Sequence, residues 1–276
     1  MSVSTFPLFT LPNGITAFGF NEKDVLGVYR DIFDDHCYLQ HGITIKDGDC
    51  VLDVGANIGL FILFLNKHGA KVKVYAFEPI PRTFQALSRN VEAHNQLPVE
   101  IFNVGLAQTA GKADFTFYPR FSQASSLFPN ETLEGAVRDR QYIIDLIPTL
   151  YWPLCVPFRY NPRFMQHFVA ERVRQYYLKK EMVTCELWNL SEFLRQKNVA
   201  KVDLLKVDAE QCEEEIIAGV ADDDWPKIRQ IIVEVHGGPE ANARIIATLG
   251  QRGFRIATDP HPAFPTISFV YGVRPN

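Results

Sequence analysis

Residues able to do chemistry gather at four places in this chain, each where an apolar run stops. DVGANIG at 53–59 packs an aspartate, two glycines and an asparagine into one short stretch, and YAFEP ends on Glu78 and Pro79. LLKVDAE brings Lys206, Asp208 and Glu210, and VEVHG brings Glu234 and His236. Gly55 can take backbone angles closed to larger residues, and without a side chain it lets the chain approach a ligand; Gly59 offers the same freedom to a neighbouring helix. A carboxylate at a strand end, as at Glu78, can accept both hydroxyl hydrogen bonds of a ribose. A nicotinamide dinucleotide makes the same demand, but the GANIG spacing lacks the third glycine of the dinucleotide fingerprint and any Walker lysine.

A nucleoside with an amino-acid tail, as in S-adenosylmethionine, meets these demands. Its carboxylate is expected on the backbone amides around Ala56, Asn57 and Ile58, and its ammonium group on Asp53, directly or through water. Its ribose goes to Glu78, and its adenine to a slot formed by Asn103, Val104, Gly105, Leu106 and Ala107. The expected cofactor contacts are therefore Asp53, Gly55, Ala56, Asn57, Gly59, Glu78, Asn103 and Gly105. At the reacting end, Asp208 and His236 are the candidates for orienting or deprotonating an acceptor hydroxyl, with Glu234 as the orienter of His236. A sulfonium already makes its methyl electrophilic, so alignment and desolvation can carry much of the barrier, and His236 can equally serve as a positioning group or a strand-end histidine.

Asp208, Glu210, Glu234 and His236 also offer three oxygen ligands and one nitrogen to a divalent ion. They share a face only if the strand period of two continues past the last strand residue, so a metal-free mechanism is the expectation. The remaining histidines, His36, His41, His68, His94, His167 and His261, suit capping, packing or solvent. Arg138, Arg140, Arg159 and Arg163 are candidates for recognising a phosphate or carboxylate on the acceptor.

The elements that must position these groups follow from hydrophobic periodicity. Apolar runs of strand length at 50–54, 72–77 and 99–104 alternate with helical patterns at 58–68 and 82–94, a βαβαβ signature. Further strands are expected at 202–207, 231–235, 254–257 and 267–273, with helices at 190–196, 213–217 and 241–249. Seven core strands and a final hairpin predict a mostly parallel sheet with one antiparallel member and helices on both faces. ADFTFYP at 113–119 reads as an additional or edge strand. Residues 1–49 read as an N-terminal cap segment with a helical stripe from Val25 to Phe33, and 50–276 as the main domain. Within it, 119–180 holds many aromatics, prolines and arginines without a clean period, as in an inserted lid or acceptor-recognition segment; a packed decoration or oligomer contact is the alternative.

Composition narrows the partners. A formal charge of -4 provides no basic footprint for a phosphate backbone, so a small acceptor is expected and nucleic acid is not. No apolar run is long enough to span a bilayer, and the first residues lack the basic flank and apolar core of a secretory signal. The five scattered cysteines read as free thiols in a reducing compartment, so a cytoplasmic location is expected.

VLDVGANIGLF, YAFEPIPRTFQALSRN, NVGLAQTAG and VDLLKVDAEQCEEEIIAG together resemble the FkbM-type S-adenosylmethionine-dependent methyltransferases, over roughly residues 35–118 and 184–237. The resemblance implies a class I methyltransferase (Rossmann-like) fold and methylation usually at oxygen. The implied acceptors are hydroxyls of polyketide-like or sugar-containing natural products, free or carrier-tethered. It also implies an amino-acid pocket at 53–59, a ribose anchor at Glu78 and an active rim at 206–210. One departure stands out: the family commonly continues its acidic motif as Glu-Gly, whereas this chain reads Glu210-Gln211-Cys212-Glu213, which puts the local backbone shape in question. The competing readings are a nicotinamide-dependent oxidoreductase and a noncatalytic acceptor-binding scaffold.

Overall fold

Strands that are apolar along their whole length are buried on both faces, and the middle of this chain folds accordingly. The computed structural model describes residues 6–94, 96–119, 179–262, 264 and 266–275, together with the separate positions 163, 165, 168, 171, 172 and 175. The expected insertion at 119–180 thus lies almost wholly outside the described residues, as do Arg138, Arg140, Arg159 and His167.

A short hairpin, β1 (Leu8–Thr10) and β2 (Thr16–Phe18), leads to α1 (Glu22–Tyr29), which runs on as a π-turn over Arg30–Asp34. There follow β3 (Cys50–Val54), α2 (Leu60–His68), β4 (Lys73–Phe77), α3 (Pro81–His94), β5 (Val99–Phe102), β6 (Gly105–Leu106) and β7 (Gly111–Phe117). From residue 181 onward come β8 (Glu181–Trp188), α4 (Leu190–Gln196), β9 (Leu204–Val207), α5 (Glu213–Ala218), β10 (Gln230–Val235), α6 (Gly238–Gln251), β11 (Arg255–Pro260) and β12 (Ser268–Val273).

Seven of these strands form one sheet in the order β11-β12-β10-β9-β3-β4-β5. All are parallel except β12, which runs antiparallel to both of its neighbours, as the expected hairpin requires. The chain starts in the middle at β3, steps outward through β4 and β5, then returns to the other side of β3 at β9. That reversal makes the carboxyl ends of β3 and β9 a topological switch point, the place where open α/β sheets bind their ligands. The arrangement is the class I methyltransferase fold that the motifs imply.

Alternate residues of each strand feed two cores. Val51, Val74, Ala76, Leu204 and Ile232 pack with α2, α3 and the N-terminal segment, whereas Leu52, Val54, Phe77, Leu205, Val207 and Val233 pack with α4, α5 and α6. Phe6, Leu11, Val25, Tyr29, Ile32, Tyr38 and Ile43 all belong to the first core, so residues 6–45 are built into one helical layer. The buried Gln230 amide clamps that segment, accepting from the Thr44 amide at 2.7 Å and donating to the Thr44 and Asp203 carbonyls at 2.9 Å each.

Two differences from the periodicity stand out. The strand expected at 113–119 lies in a separate three-stranded sheet of order β6-β8-β7, antiparallel to β8. β8 lies outside the strands expected from the periodicity, although Met182, Thr184 and Glu186 alternate outward with Val183, Cys185 and Leu187, because it adjoins a stretch of sequence without a clean period. Among the described residues, no helix is long and apolar enough to cross a membrane, and four cysteines are free thiols.

Candidate active site

The turn after β3 is shaped by backbone conformations that favour glycine or asparagine: Gly55, Asn57 and Gly59 all have positive φ. A Cβ on Gly59 would come within 2.7 Å of Leu87 on α3, so the helix contact expected there is present. Gly55 serves a different neighbour from the expected one. A Cβ there would sit 1.7 Å from the backbone carbonyl oxygen of Asp208, so the approach it permits is that of the β9 loop and not of a ligand. Gly105 likewise makes room for Leu187 on β8.

Strand register explains Asp53. It lies beside Lys206 across the β3–β9 ladder, and both side chains are almost fully buried. Lys206 Nζ stands 3.1 Å from Asp53 Oδ1 and 3.3 Å from Asp208 Oδ2, and donates to the Gly55 carbonyl at 3.0 Å. Burial pushes the Asp53 carboxyl up, against the pull of Lys206. Burial works to lower the lysine, but Asp53 and Asp208 overcome it and raise Lys206 above its ordinary value. The expected ammonium partner is thus already ion-paired within the protein. Its Oδ2 nevertheless has no hydrogen-bond partner among the described residues, leaving one buried acceptor for the tail of a donor or for a water.

Glu78 is buried at the end of β4, held by the Ile80 amide on Oε1 at 2.9 Å and the Asn57 amide on Oε2 at 3.1 Å. Each carboxylate oxygen accepts two hydrogen bonds, so one position on each remains for a pair of ribose hydroxyls. Burial raises this carboxyl to about 7, against the opposing effect of the two amides. The amides expected to take the donor's carboxylate are partly used within the turn: Ala56 donates to the Phe77 carbonyl at 2.9 Å, and Asn57 to Glu78. Asn103 donates to the Glu78 and Pro79 carbonyls at 2.9 and 3.0 Å, so its amide protons brace the backbone around Glu78 and do not face an adenine edge.

Asp208, Glu234 and His236 do come together. The strand period holds past the end of β10, and ligand-type atoms of these three residues all lie within 4.8 Å of one another. The orienter of His236 is Glu213 and not Glu234: Nδ1 lies 2.8 Å from Glu213 Oε1, while Nε2 lies 3.6 Å from Glu210 and 3.7 Å from Glu234. Burial alone would lower the imidazole, but Glu210, Glu213 and Glu234 hold its pKa well above the ordinary value. An imidazolium has no free lone pair, so His236 in this state donates and cannot act as a base. Burial and neighbouring carboxylates push Glu210 and Glu234 up to about 8 each, against the pull of His236.

Two participants escaped the sequence reading. Tyr38 donates to Asp208 Oδ2 at 3.1 Å and to Glu234 Oε2 at 2.9 Å, so one phenolic proton is divided between two carboxylates. Its partners are 170 and 196 residues away, beyond the reach of any local pattern. Glu213 is hidden in a run of three glutamates opening α5, but only it is buried. Gln211 takes φ +75 and Glu210 +46, so the chain keeps a glycine-like bend where the family commonly has glycine. Arg163 is exposed.

Residues 53–256 match the family model described as the methyltransferase FkbM domain. The 31-O-demethyl-FK506 methyltransferase FkbM of Streptomyces tacrolimicus is 34% identical over 254 residues, covering 92% of this chain and 91% of that one. Methyltransferase sdnD of Sordaria araneosa is 28% identical over 271 residues, 94% of this chain and 93% of its own. AMB antimetabolite synthetase AmbE of Pseudomonas aeruginosa is 30% identical over 254 residues, which are 90% of this chain and 11% of that protein.

Proposed function

The chain belongs to the FkbM methyltransferase family and is an S-adenosylmethionine-dependent methyltransferase, and from that premise we propose that it methylates a hydroxyl oxygen of a small natural-product-like acceptor. This membership removes the nicotinamide-dependent and noncatalytic readings. The observation that carries the proposal is the contact of Gly55 with the Asp208 carbonyl, which sets the donor turn directly against the Tyr38–Asp208–Glu234–His236 cluster.

The donor supplies an electrophilic methyl on a sulfonium. Glu78 accepts from its ribose hydroxyls, with the Ile80 and Asn57 amides holding that carboxylate still and Asn103 bracing the Glu78 backbone carbonyl. The turn at 55–59 supports the amino-acid tail, and Asp53 anchors the turn through Lys206 as well as offering its spare oxygen. Val104, Gly105 and Leu106 border the adenine. Asp208 and Glu234 face the acceptor: one accepts the hydroxyl hydrogen bond, and the proton released on methyl transfer passes to this carboxylate pair. His236 donates to the acceptor or to Glu234, and Tyr38 fixes the spacing of the two carboxylates. The segment at 119–180 recognises the remainder of the acceptor.

The O-demethyl compound in the FkbM relative's printed name, and the match to part of a synthetase, set the panel for the test: polyketide-like alcohols, glycosides and alcohols tethered to a carrier protein, each beside its deoxy and amino counterpart. Mass spectrometry should show one added methyl only where a free hydroxyl is present. Methylation confined to the amino compounds would reject oxygen as the target. Asp208→Asn should lower turnover by about a hundredfold or more while S-adenosylhomocysteine still binds; near-normal turnover would remove Asp208 from the chemistry.

A further inference from the structure

The cluster beside the donor turn is more than a set of acidic side chains. Four carboxylates, those of Asp208, Glu210, Glu213 and Glu234, surround one imidazole, and the nearby Lys206 is already shared between Asp53 and Asp208. The imidazole is oriented as a metal-ligating histidine usually is. Glu213 takes Nδ1 at 2.8 Å and is itself held by the Gln211 amide at 3.1 Å, which leaves Nε2 directed at Glu210 and Glu234. That side chain is 6% exposed, and among the described residues Nε2 makes no hydrogen bond. Nε2 is therefore aimed into a group of oxygens, within ion-pair distance of Glu210 and Glu234 at 3.6 and 3.7 Å but hydrogen-bonded to neither.

The dimensions suit an ion. Ligand atoms of Asp208, Glu234 and His236 lie within 4.8 Å of one another, and around a magnesium or manganese ion adjacent donors stand about 3 Å apart and opposite ones about 4.2 Å. Inward rotation of the side chains brings the three to that spacing. Two carboxylates and one imidazole suit a hard divalent ion that keeps other positions for water or substrate oxygens, which is the preference of magnesium and manganese. An all-thiolate or all-imidazole set would have pointed to zinc or copper; this one does not.

We propose that Asp208, Glu234 and His236 Nε2 bind one divalent cation of the magnesium or manganese class, with Glu213 orienting the histidine, and that the ion's open positions receive the acceptor's hydroxyl. This rests on the reading of the cluster as the acceptor side of a methyltransferase. It replaces the metal-free expectation from the sequence and assigns Tyr38 to holding Asp208 and Glu234 at ligand spacing. In the loaded site Nε2 carries a metal in place of its proton, so the histidine is a ligand and the proton of the acceptor leaves by way of the carboxylates.

The test uses chelator-stripped full-length protein without donor or acceptor, with manganese(II) as the probe followed by electron paramagnetic resonance and calorimetry. One ion per chain is expected, with binding at least about tenfold weaker in both Asp208→Asn and His236→Ala. Glu213→Gln keeps the bulk of the orienter while removing its charge, and should weaken binding about 10- to 100-fold; it serves if His236→Ala does not fold. Circular dichroism checks each variant. Absence of saturable manganese binding to folded protein, or unchanged affinity in Asp208→Asn and Glu213→Gln, would overturn the site. S-adenosylhomocysteine affinity is measured in parallel. Its loss with manganese binding intact would sink the donor reading alone, and its retention without manganese binding would sink the metal alone.

Discussion

Two side chains set most of the chemistry at the residue scale. Glu78 is the proposed ribose anchor, and its carboxyl is raised to about 7 by burial. The ionised form accepts both hydroxyl hydrogen bonds, whereas a protonated carboxyl uses one oxygen as a donor. Binding therefore favours the ionised form, and affinity for S-adenosylhomocysteine should fall by up to about tenfold per pH unit below about 7 and level off above it. The same titration in Glu78→Gln should be weak and nearly flat; a wild-type curve just as flat would remove the carboxylate from the contact. Tyr38 contributes one proton to two carboxylates. Tyr38→Phe should cost about 1.5–3 kcal/mol of stability in thermal unfolding, because Asp208 and Glu234 then face each other without a shared donor. Turnover should fall with it while S-adenosylhomocysteine affinity holds; an unchanged melting temperature and rate would make the tyrosine a bystander.

At the scale of elements, the bend between β9 and α5 shows how a departure from the family pattern is absorbed. Gln211 occupies φ +75, a conformation that costs a side-chain-bearing residue about 1–2 kcal/mol. Gln211→Gly relieves that strain but loosens the unfolded chain by about 0.5–1 kcal/mol, so a net gain of about 0.5–1 kcal/mol in denaturant unfolding is expected; a loss would mean that the glutamine side chain supports the site. Much of this architecture was legible in the sequence. Mostly apolar runs such as CVLDV and VDLLKV end abruptly in glycine or acid, which places both the strands and the rim where Asp53, Glu78, Asp208 and His236 stand. β8 was missed because its alternation is half exposed and flanked by an irregular segment. Local pattern also could not show what fills the space beside Gly55, or that Glu213, the first of three glutamates opening α5, would reach His236 before Glu234 does.

For the molecule as a whole, the site is assembled from both ends of the chain. Tyr38 reaches the rim only because residues 6–45 are packed into one helical layer, and Gln230 ties that layer to the sheet with two hydrogen bonds to Thr44. Gln230→Ala leaves the Thr44 amide and carbonyl without that partner and should destabilise the protein by about 2–4 kcal/mol. Limited proteolysis should then cut first near residues 38–48, and turnover should fall further than donor affinity; protection equal to wild type would show that the segment is held by packing alone. The central claim is that the turn after β3 and the carboxylate of β4 hold the donor against the Asp208 cluster. A crystal structure with S-adenosylhomocysteine tests it most directly. The account predicts both ribose hydroxyls on Glu78, the amino-acid tail over residues 55–59 and the sulfur facing Asp208 and Glu234. A nucleoside bound elsewhere, with Glu78 still engaged only by the Asn57 and Ile80 amides, would contradict it.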